Sequence, residues 1–258
     1  MNILIGDIGN TTSKICLIEI DTLKIKKINY FDSNKILSKN FINKMMDKVF
    51  KKKNINKYAL FSSVVPKYTS LLKTNLKENY KIILKEIKEK SINKIVKINI
   101  KNKNQVGSDR IANSVGAYKK YKANCIVLDF GTATTFDVIT KKGIYNGGII
   151  APGVSLSLRS LVKSADQIPI FSLKMQKKII GKNTLEALRS GFYWGYSGLI
   201  NNIILKIEKE TQKKYKIIFT GGYAELFKTS IIRPFEIDKN ITIYGIIEIF
   251  KKNRKYLN

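Results

Sequence analysis

A short pattern that occurs twice does most to limit what this chain can fold into. Residues 3–20 read ILIGDIGNTTSKICLIEI: an apolar run enters the turn Asp7–Thr12, and an alternating stretch (Ile15, Leu17, Ile18, Ile20) leaves it. The pattern predicts a β-hairpin with Asp7, Gly9, Asn10, Thr11 and Thr12 at its tip. Residues 126–139, IVLDFGTATTFDVI, repeat the plan. Aligning Asp7 with Asp129 puts Gly9 on Gly131, with hydroxyl residues after both. One D-x-G-N turn is ordinary hairpin chemistry. Two, each opening one half of the chain, predict a duplicated domain with a cleft between the copies. Glycine lets the backbone approach a ligand, successive N–H groups make an anion-binding nest, and an aspartate at the strand end can hold a divalent cation that binds phosphate. Two facing tips of this kind would clasp a polyphosphate, so the expectation is a nucleotide site.

Composition narrows the chemistry. The chain has 258 residues, 44% of them hydrophobic, enough for one large or two medium packed domains. No apolar stretch approaches a bilayer span and no leader pattern opens the chain, so a cytoplasmic protein with no membrane partner is expected. Cys16 and Cys125 fall at strand-like apolar positions and are expected to be buried free thiols. The formal charge of +29 would ordinarily point to nucleic acid. The excess is lysine rather than arginine, spread along the chain and accompanied by much Ile and Asn, so compositional bias ranks above nucleic-acid binding. The chain contains no histidine, which excludes Ser–His–Asp triads, Cys–His pairs, histidine bases and His-ligated zinc. Proton transfer falls to a carboxylate, a lysine or a tyrosine.

The rest reads as an α/β alternation. Strands are expected at 24–31, 59–66, 94–100 and 142–153, and helices at 35–52, 68–76, 80–90 and 154–162. In QVGSDRIANSVGAY (105–118), Ile111, Val115 and Tyr118 share a helical face, so GSDR sits at a helix start. Asp109 there reads first as a helix cap or first-turn acid. Arg110 is badly placed against the helix dipole, and a nearby carboxylate would account for it. Residues 166–171 break the pattern. From Asn183 to about Glu208, Gly191, Gly195 and Gly198 recur at near-helical spacing and read as packing glycines. KIIFTGGYAELF (216–227) predicts strand, Gly-Gly turn and helix, a third backbone nest, and 241–252 a short strand and helix. Neither a G-x-x-x-x-G-K-[ST] phosphate loop nor a G-x-G-x-x-G fingerprint is present.

Taken together, DIGNTTSK (7–14), SSVVP (62–66), GSDRIAN (107–113), DFGTATTFD (129–137), GGIIAPG (147–153), NTLEALRSG (183–191) and TGG (220–222) resemble the successive motifs of type III pantothenate kinases. The resemblance implies an α/β fold of two actin-like (ribonuclease H-like) domains formed by duplication, with a nucleotide cleft between them. The expected domains are 1–121 and 122–258. It implies transfer of the ATP γ-phosphoryl group to the 4′-hydroxyl of pantothenate, the first step towards coenzyme A. A divalent cation such as Mg²⁺, a monovalent cation (K⁺ or NH₄⁺) and a homodimer are also implied. By motif match, Asp7, Ile8, Gly9, Asn10, Thr11, Thr12, Ser13 and Lys14 would form the first ATP phosphate turn, with Asp7 near Mg²⁺. Thr132 would be a second phosphate contact and Asp129 the monovalent-cation ligand. Gly107, Ser108, Asp109, Arg110 and Thr184 would bind pantothenate, with Asp109 as the general base, and this overrides the cap reading.

Three positions depart from the family pattern. Ser108 stands for the usual alanine, Ile100 where a tyrosine of a Tyr-Asp-Asn-Pro stretch usually stands, and Leu188-Arg189 for Met-Gln. The Ile100 departure leaves one substrate contact unaccounted for. The rival reading is a non-catalytic relative acting as a transcription accessory factor, which the positive charge would suit. Intact Asp7, Asp109 and Asp129 argue against it. Another actin-like sugar or acid kinase would keep the D-x-G tips but not GSDR together with Thr184.

Overall fold

The computed structural model describes residues 1–50, 54–165 and 167–257. They form two compact units: Met1–Tyr121, Lys142–Tyr145 and Asn240–Asn258 in the first, and Lys122–Lys141 with Asn146–Lys239 in the second.

In the first unit, β1 (Asn2–Ile8) and β2 (Thr12–Glu19) make the expected antiparallel hairpin, with Asp7 opposite Lys14 and Ile8 opposite Ser13. Strand β3 (Ile25–Asp32) pairs antiparallel with β2. After helix α1 (Lys39–Phe50) the chain returns as β4 (Ile55–Ser63), parallel to β1. After α2 (Pro66–Tyr80) it returns as β5 (Ile83–Glu86), parallel to β4. The sheet order is β3-β2-β1-β4-β5. Both faces are covered: Ile3 and Ile5 join one core cluster, Leu4 and Ile8 the other. Alternate side chains point to opposite faces, so only a near-continuous apolar run suits a strand buried on both sides. Each fully buried Ile or Leu stabilises by about 1.5–3 kcal/mol. A short β6 (Lys97–Ile98) and helix α3 (Ser108–Tyr121) complete this stretch.

The second unit repeats the plan. Strands β7 (Cys125–Phe130) and β8 (Ala133–Ile139) form the second hairpin. They are followed by β9 (Ile144–Pro152), α4 (Val154–Ser164), α5 (Thr184–Thr211), β10 (Lys216–Gly221) and β11 (Phe235–Ile237). Strand β10 is parallel to β7, and β11 to β10. This six-stranded sheet runs β11-β10-β7-β8-β9-β6, and its first five strands repeat the first sheet with each strand replaced by its counterpart. The duplication inferred from two short tips therefore extends through ten strands. Helix α6 (Ile241–Asn253) lies in the first unit, not in a contiguous second domain. It packs on α3 so closely that a Cβ at Gly245 would overlap the Ala112 carbonyl.

Five local expectations change, the first being the strand at 94–100, which is confined to Lys97–Ile98, parallel to β9 at Ile144–Tyr145. The stretch 80–90 is not helical: Lys81 ends α2 at φ 59°, and Leu84 of β5 buries against the α2 side. Parallel pairing to β4 overrides its helical propensity. After β10, residues 222–230 form successive turns with i→i+3 bonds (Leu226 N–H to Tyr223, Ser230 N–H to Phe227) rather than a helix. The isoleucine-rich 241–252 is helical from its start, because Ile241, Ile243, Ile246, Ile247 and Ile249 all bury. The 35–52 helix is divided at Ser38 from a preceding 3₁₀ turn, Ser33–Leu37. Residues 51 and 52 of that stretch, and Asp166 of 166–171, lie outside the described residues. Cys16 and Cys125 are buried free thiols, and burial pushes both up to about 12. Among the described residues, no helix is long and apolar enough to cross a membrane.

Candidate active site

Two of the motifs are joined by one hydroxyl. Ser108, at the start of α3, accepts hydrogen bonds from the Ser63 N–H at 2.8 Å and the Ser62 hydroxyl at 3.2 Å, and donates to the Ser63 carbonyl at 2.5 Å. The side chain is 2% exposed and its hydrogen-bonding capacity is filled. Ser63 in turn uses its own hydroxyl to accept the Val65 N–H and the Thr69 hydroxyl, fixing the turn in which Pro66 opens α2. SSVVP and GSDR are thus a single structural piece. The serine at 108, where alanine is usual, is the pin that joins them.

Asp109 occupies the first turn of α3, after Gly107 supplies the carbonyl that accepts the Ile111 N–H at 3.1 Å. Its Oδ1 accepts the Arg110 N–H at 2.8 Å. Burial raises its pKa above the ordinary carboxylate value, against the opposing pull of the Arg110 N–H and charge and of Lys88. A Cβ at Gly107 would run into Asp109 Oδ1, so only glycine leaves that carboxylate its place. Arg110, which has no support from the helix dipole, lies with Cζ 5.8 Å from the ring centre of the buried Tyr145. The contact is of cation–π type. Gly107 and Ser108 also form part of the wall of a cavity of about 530 Å³, with Ser63, Val64, Lys73, Glu86 and Lys88.

At the first hairpin tip, Asn10, Thr11 and Thr12 are exposed, whereas Ile8 and Ser13 are wholly buried. The Gly9 N–H closes the turn on the Thr12 carbonyl at 3.3 Å. The Thr11 carbonyl accepts the Ser33 N–H, and the hydroxyls of Ser13 and Ser33 share a hydrogen bond of 2.8 Å. Ile8 and Ser13 can therefore serve a ligand through backbone only. Lys14, paired across from Asp7, lies 5.9 Å from the Tyr30 ring centre.

At the second tip, Gly131 and Thr132 are exposed and the Gly131 N–H is held by the Ala133 carbonyl at 3.1 Å. The TGG turn is seated against it: Thr220 pairs with Asp129, and the Gly222 N–H donates to the Phe130 carbonyl at 3.1 Å. Gly221 has φ +87°, and a Cβ there would lie 2.7 Å from Asp129 Oδ1 and 2.6 Å from Phe130 N. Both the conformation and the space require glycine. Asp129, Thr132 and TGG are thereby brought together within the second unit.

Thr184 is the first residue of α5, a start fixed by the N-cap Asn183, whose Oδ1 accepts the Glu186 N–H at 2.9 Å, while Glu186 accepts the Lys182 N–H at 2.9 Å. That bond to Lys182 is also what lowers the Glu186 pKa most. Exposed Thr184 lines an apolar groove of about 610 Å³ with Leu188, Gly191, Phe192, Gly195 and Tyr196. A Cβ built on Gly191, Gly195 or Gly198 meets nothing within 4 Å, so these are not packing glycines within the chain. Arg189 donates to the Ser172 carbonyl at 3.2 Å, tying down the preceding segment.

The donor chemistry fits the implied cations. Mg²⁺ needs only one or two carboxylates when phosphates complete its shell, and half-buried Asp7 at a strand end offers one. Beside Asp129, the Thr220 hydroxyl is 1% exposed with no hydrogen-bond partner among the described residues, an oxygen suited to a monovalent cation. Among the described residues there is no cluster of three or more acidic or cysteine ligands. Tyr145 and Lys88 were not legible as site residues from the sequence, and although Ser108 and the TGG turn were, the bonds of the Ser108 hydroxyl to Ser63 and the pairing of Thr220 with Asp129 emerge only from the tertiary structure.

The model of the type III pantothenate kinase family matches residues 3–206. A type III pantothenate kinase from Pelagibacter ubique is 47% identical over 245 residues, 95% of this chain and 97% of the relative. Among solved structures, a Campylobacter jejuni protein described as a conserved Baf family transcriptional activator superposes with TM-score 0.62 at 21% identity, covering 98% of this chain and all of that one. The activator of 2-hydroxyisocaproyl-CoA dehydratase from Clostridium difficile, with bound ADPNP, superposes with TM-score 0.59 at 9% identity over 99% and 97% of the two chains. At such identities these structures show the fold alone, a duplicated actin-like α/β architecture. The family match and the near full-length relative go further: this chain belongs to the type III pantothenate kinase family.

Proposed function

We propose that this chain transfers the γ-phosphoryl group of ATP to the 4′-hydroxyl of pantothenate, forming 4′-phosphopantothenate and ADP as the first step of coenzyme A biosynthesis. In a chain of this family, the observation that carries the reading is the half-buried Asp109 carboxylate, held in the first turn of α3 directly after Gly107 and the Ser108 pin, two residues that line a cavity of about 530 Å³. Asp109 accepts the proton of the substrate hydroxyl as its oxygen bonds to the γ-phosphorus and the bond to ADP breaks. Partial burial brings its basicity closer to working pH, which is what a general base requires. Phosphoryl transfer asks the rest of the protein for positioning and charge stabilisation.

The Asp7–Lys14 turn and Thr132 are the proposed phosphate contacts, supported by exposed backbone at both tips. Mg²⁺ held by Asp7 would neutralise phosphate charge, and Asp129 with Thr220 would hold K⁺ or NH₄⁺. Arg110 and Thr184 are proposed as pantothenate contacts on their motif matches. A cytoplasmic homodimer completes the reading. The dimer is supported by the open glycine face of α5 and its apolar groove. Incubation with ATP, Mg²⁺ and pantothenate tests the activity directly: a product heavier by one phosphoryl group is expected, and recovery of unmodified pantothenate from active-site-competent, ATP-binding protein would refute it.

A further inference from the structure

The cavity lined by Gly107 and Ser108, the two residues before Asp109, is also lined by two lysines with different partners. Lys73 is neutralised, with Nζ 2.7 Å from Glu86 and 3.8 Å from Glu89. Lys88, just beyond β5, is exposed, and its Nζ donates to the Asn104 carbonyl at 2.7 Å. No carboxylate lies within ion-pair distance of it among the described residues. A carbonyl orients an ammonium group without cancelling its charge, so Lys88 brings a net positive charge to a cavity that Gly107 and Ser108 also line. The acceptor in the proposed reaction carries its reacting hydroxyl at one end and one carboxylate at the other. A volume of about 530 Å³ is in the range of small-molecule sites.

We propose that Lys88 is a specificity residue of this enzyme: it pairs with the acceptor's carboxylate while the acceptor's hydroxyl lies at Asp109. The inference rests on the pantothenate kinase reading and names the group that selects an acid over a neutral alcohol. Binding requires only that Nζ exchange the Asn104 carbonyl for the ligand's carboxylate, a stronger, charge-assisted partner.

The test compares Lys88→Gln and Lys88→Arg with the unaltered protein, using pantothenate and pantothenyl alcohol, in which a hydroxyl replaces the carboxylate. Lys88→Gln should raise KM for pantothenate roughly ten-fold with kcat within about two-fold, the size of one lost charge-assisted hydrogen bond. Lys88→Arg should restore most of it. KM for pantothenyl alcohol, or its inhibition constant against pantothenate where it is not turned over, should be the same for the unaltered protein and Lys88→Gln. An unchanged pantothenate KM in Lys88→Gln would overturn the proposal. So would an equal shift for acid and alcohol, which would mean that Lys88 acts through folding or through Asp109. Absence of pantothenate turnover in the unaltered protein is a separate result, one that refutes the kinase reading itself.

Discussion

The Ser108 hydroxyl holds both main-chain groups of Ser63, accepting its N–H at 2.8 Å and donating to its carbonyl at 2.5 Å. The end of β4 and the start of α3 are therefore locked at the residue preceding Asp109. Ser108→Ala leaves two main-chain groups without that partner, and such a loss costs about 1–3 kcal/mol where the groups stay buried. Urea unfolding should show a lower midpoint with an unchanged slope. Because a methyl group still fits the space, kcat should stay within a few-fold.

Asp109→Asn separates stability from chemistry. Burial raises the Asp109 pKa, so the native state keeps a proton that the unfolded chain has already released. Stability therefore falls as pH rises through the window between the two pKa values, and above it the ionised carboxylate is a standing cost. Removing the charge should raise Tm at pH 7. The same change should lower kcat by about 10²–10⁴-fold, the usual worth of a general base, while binding of an ATP analogue persists. A fall in Tm together with undiminished turnover would exclude Asp109 from the reaction.

The same raised pKa sets the pH profile. The acid limb of kcat/KM should lie above the range of an ordinary carboxylate, because the base must be ionised to act. Rate measurements across acidic pH in a constant-ionic-strength buffer check this.

Gly221→Ala should damage the second tip. At φ +87°, with Asp129 Oδ1 and Phe130 N within 2.7 Å of the new methyl position, the substitution carries backbone strain of about 1–3 kcal/mol before the contacts are counted. A lower unfolding midpoint and weakened ATP-analogue affinity are expected from calorimetry.

Gly195→Glu places a charged side chain in open space on α5. Replacing glycine within a helix adds up to about 1 kcal/mol of helix propensity, so the protomer should remain folded. If the open face of α5 is where two copies meet, light scattering should report a monomer. An unaltered dimer would move the interface elsewhere.

The duplication was legible because a hairpin is a local object: Asp7 and Gly9 sit within one turn, and Asp129 and Gly131 repeat it. Residues 80–90 misled because Ile82, Leu84 and Ile87 fit both helical and strand patterns, and only pairing with β4 decides between them. The run from Ile241 has strong strand propensity, yet α3 offers it a helical groove. The site divides in the same way. Asp109 could be named from its motif, whereas Tyr145 near Arg110, Thr220 beside Asp129, and Lys88 in the same cavity as Ser108 come together only through the tertiary structure.

The most direct measurement is ADP release from ATP and Mg²⁺ by the purified chain, with and without pantothenate, in potassium and then in sodium buffer. Turnover should require pantothenate and run faster in potassium. ADP release indifferent to pantothenate, or none from folded protein that binds ATP, would contradict the proposed activity.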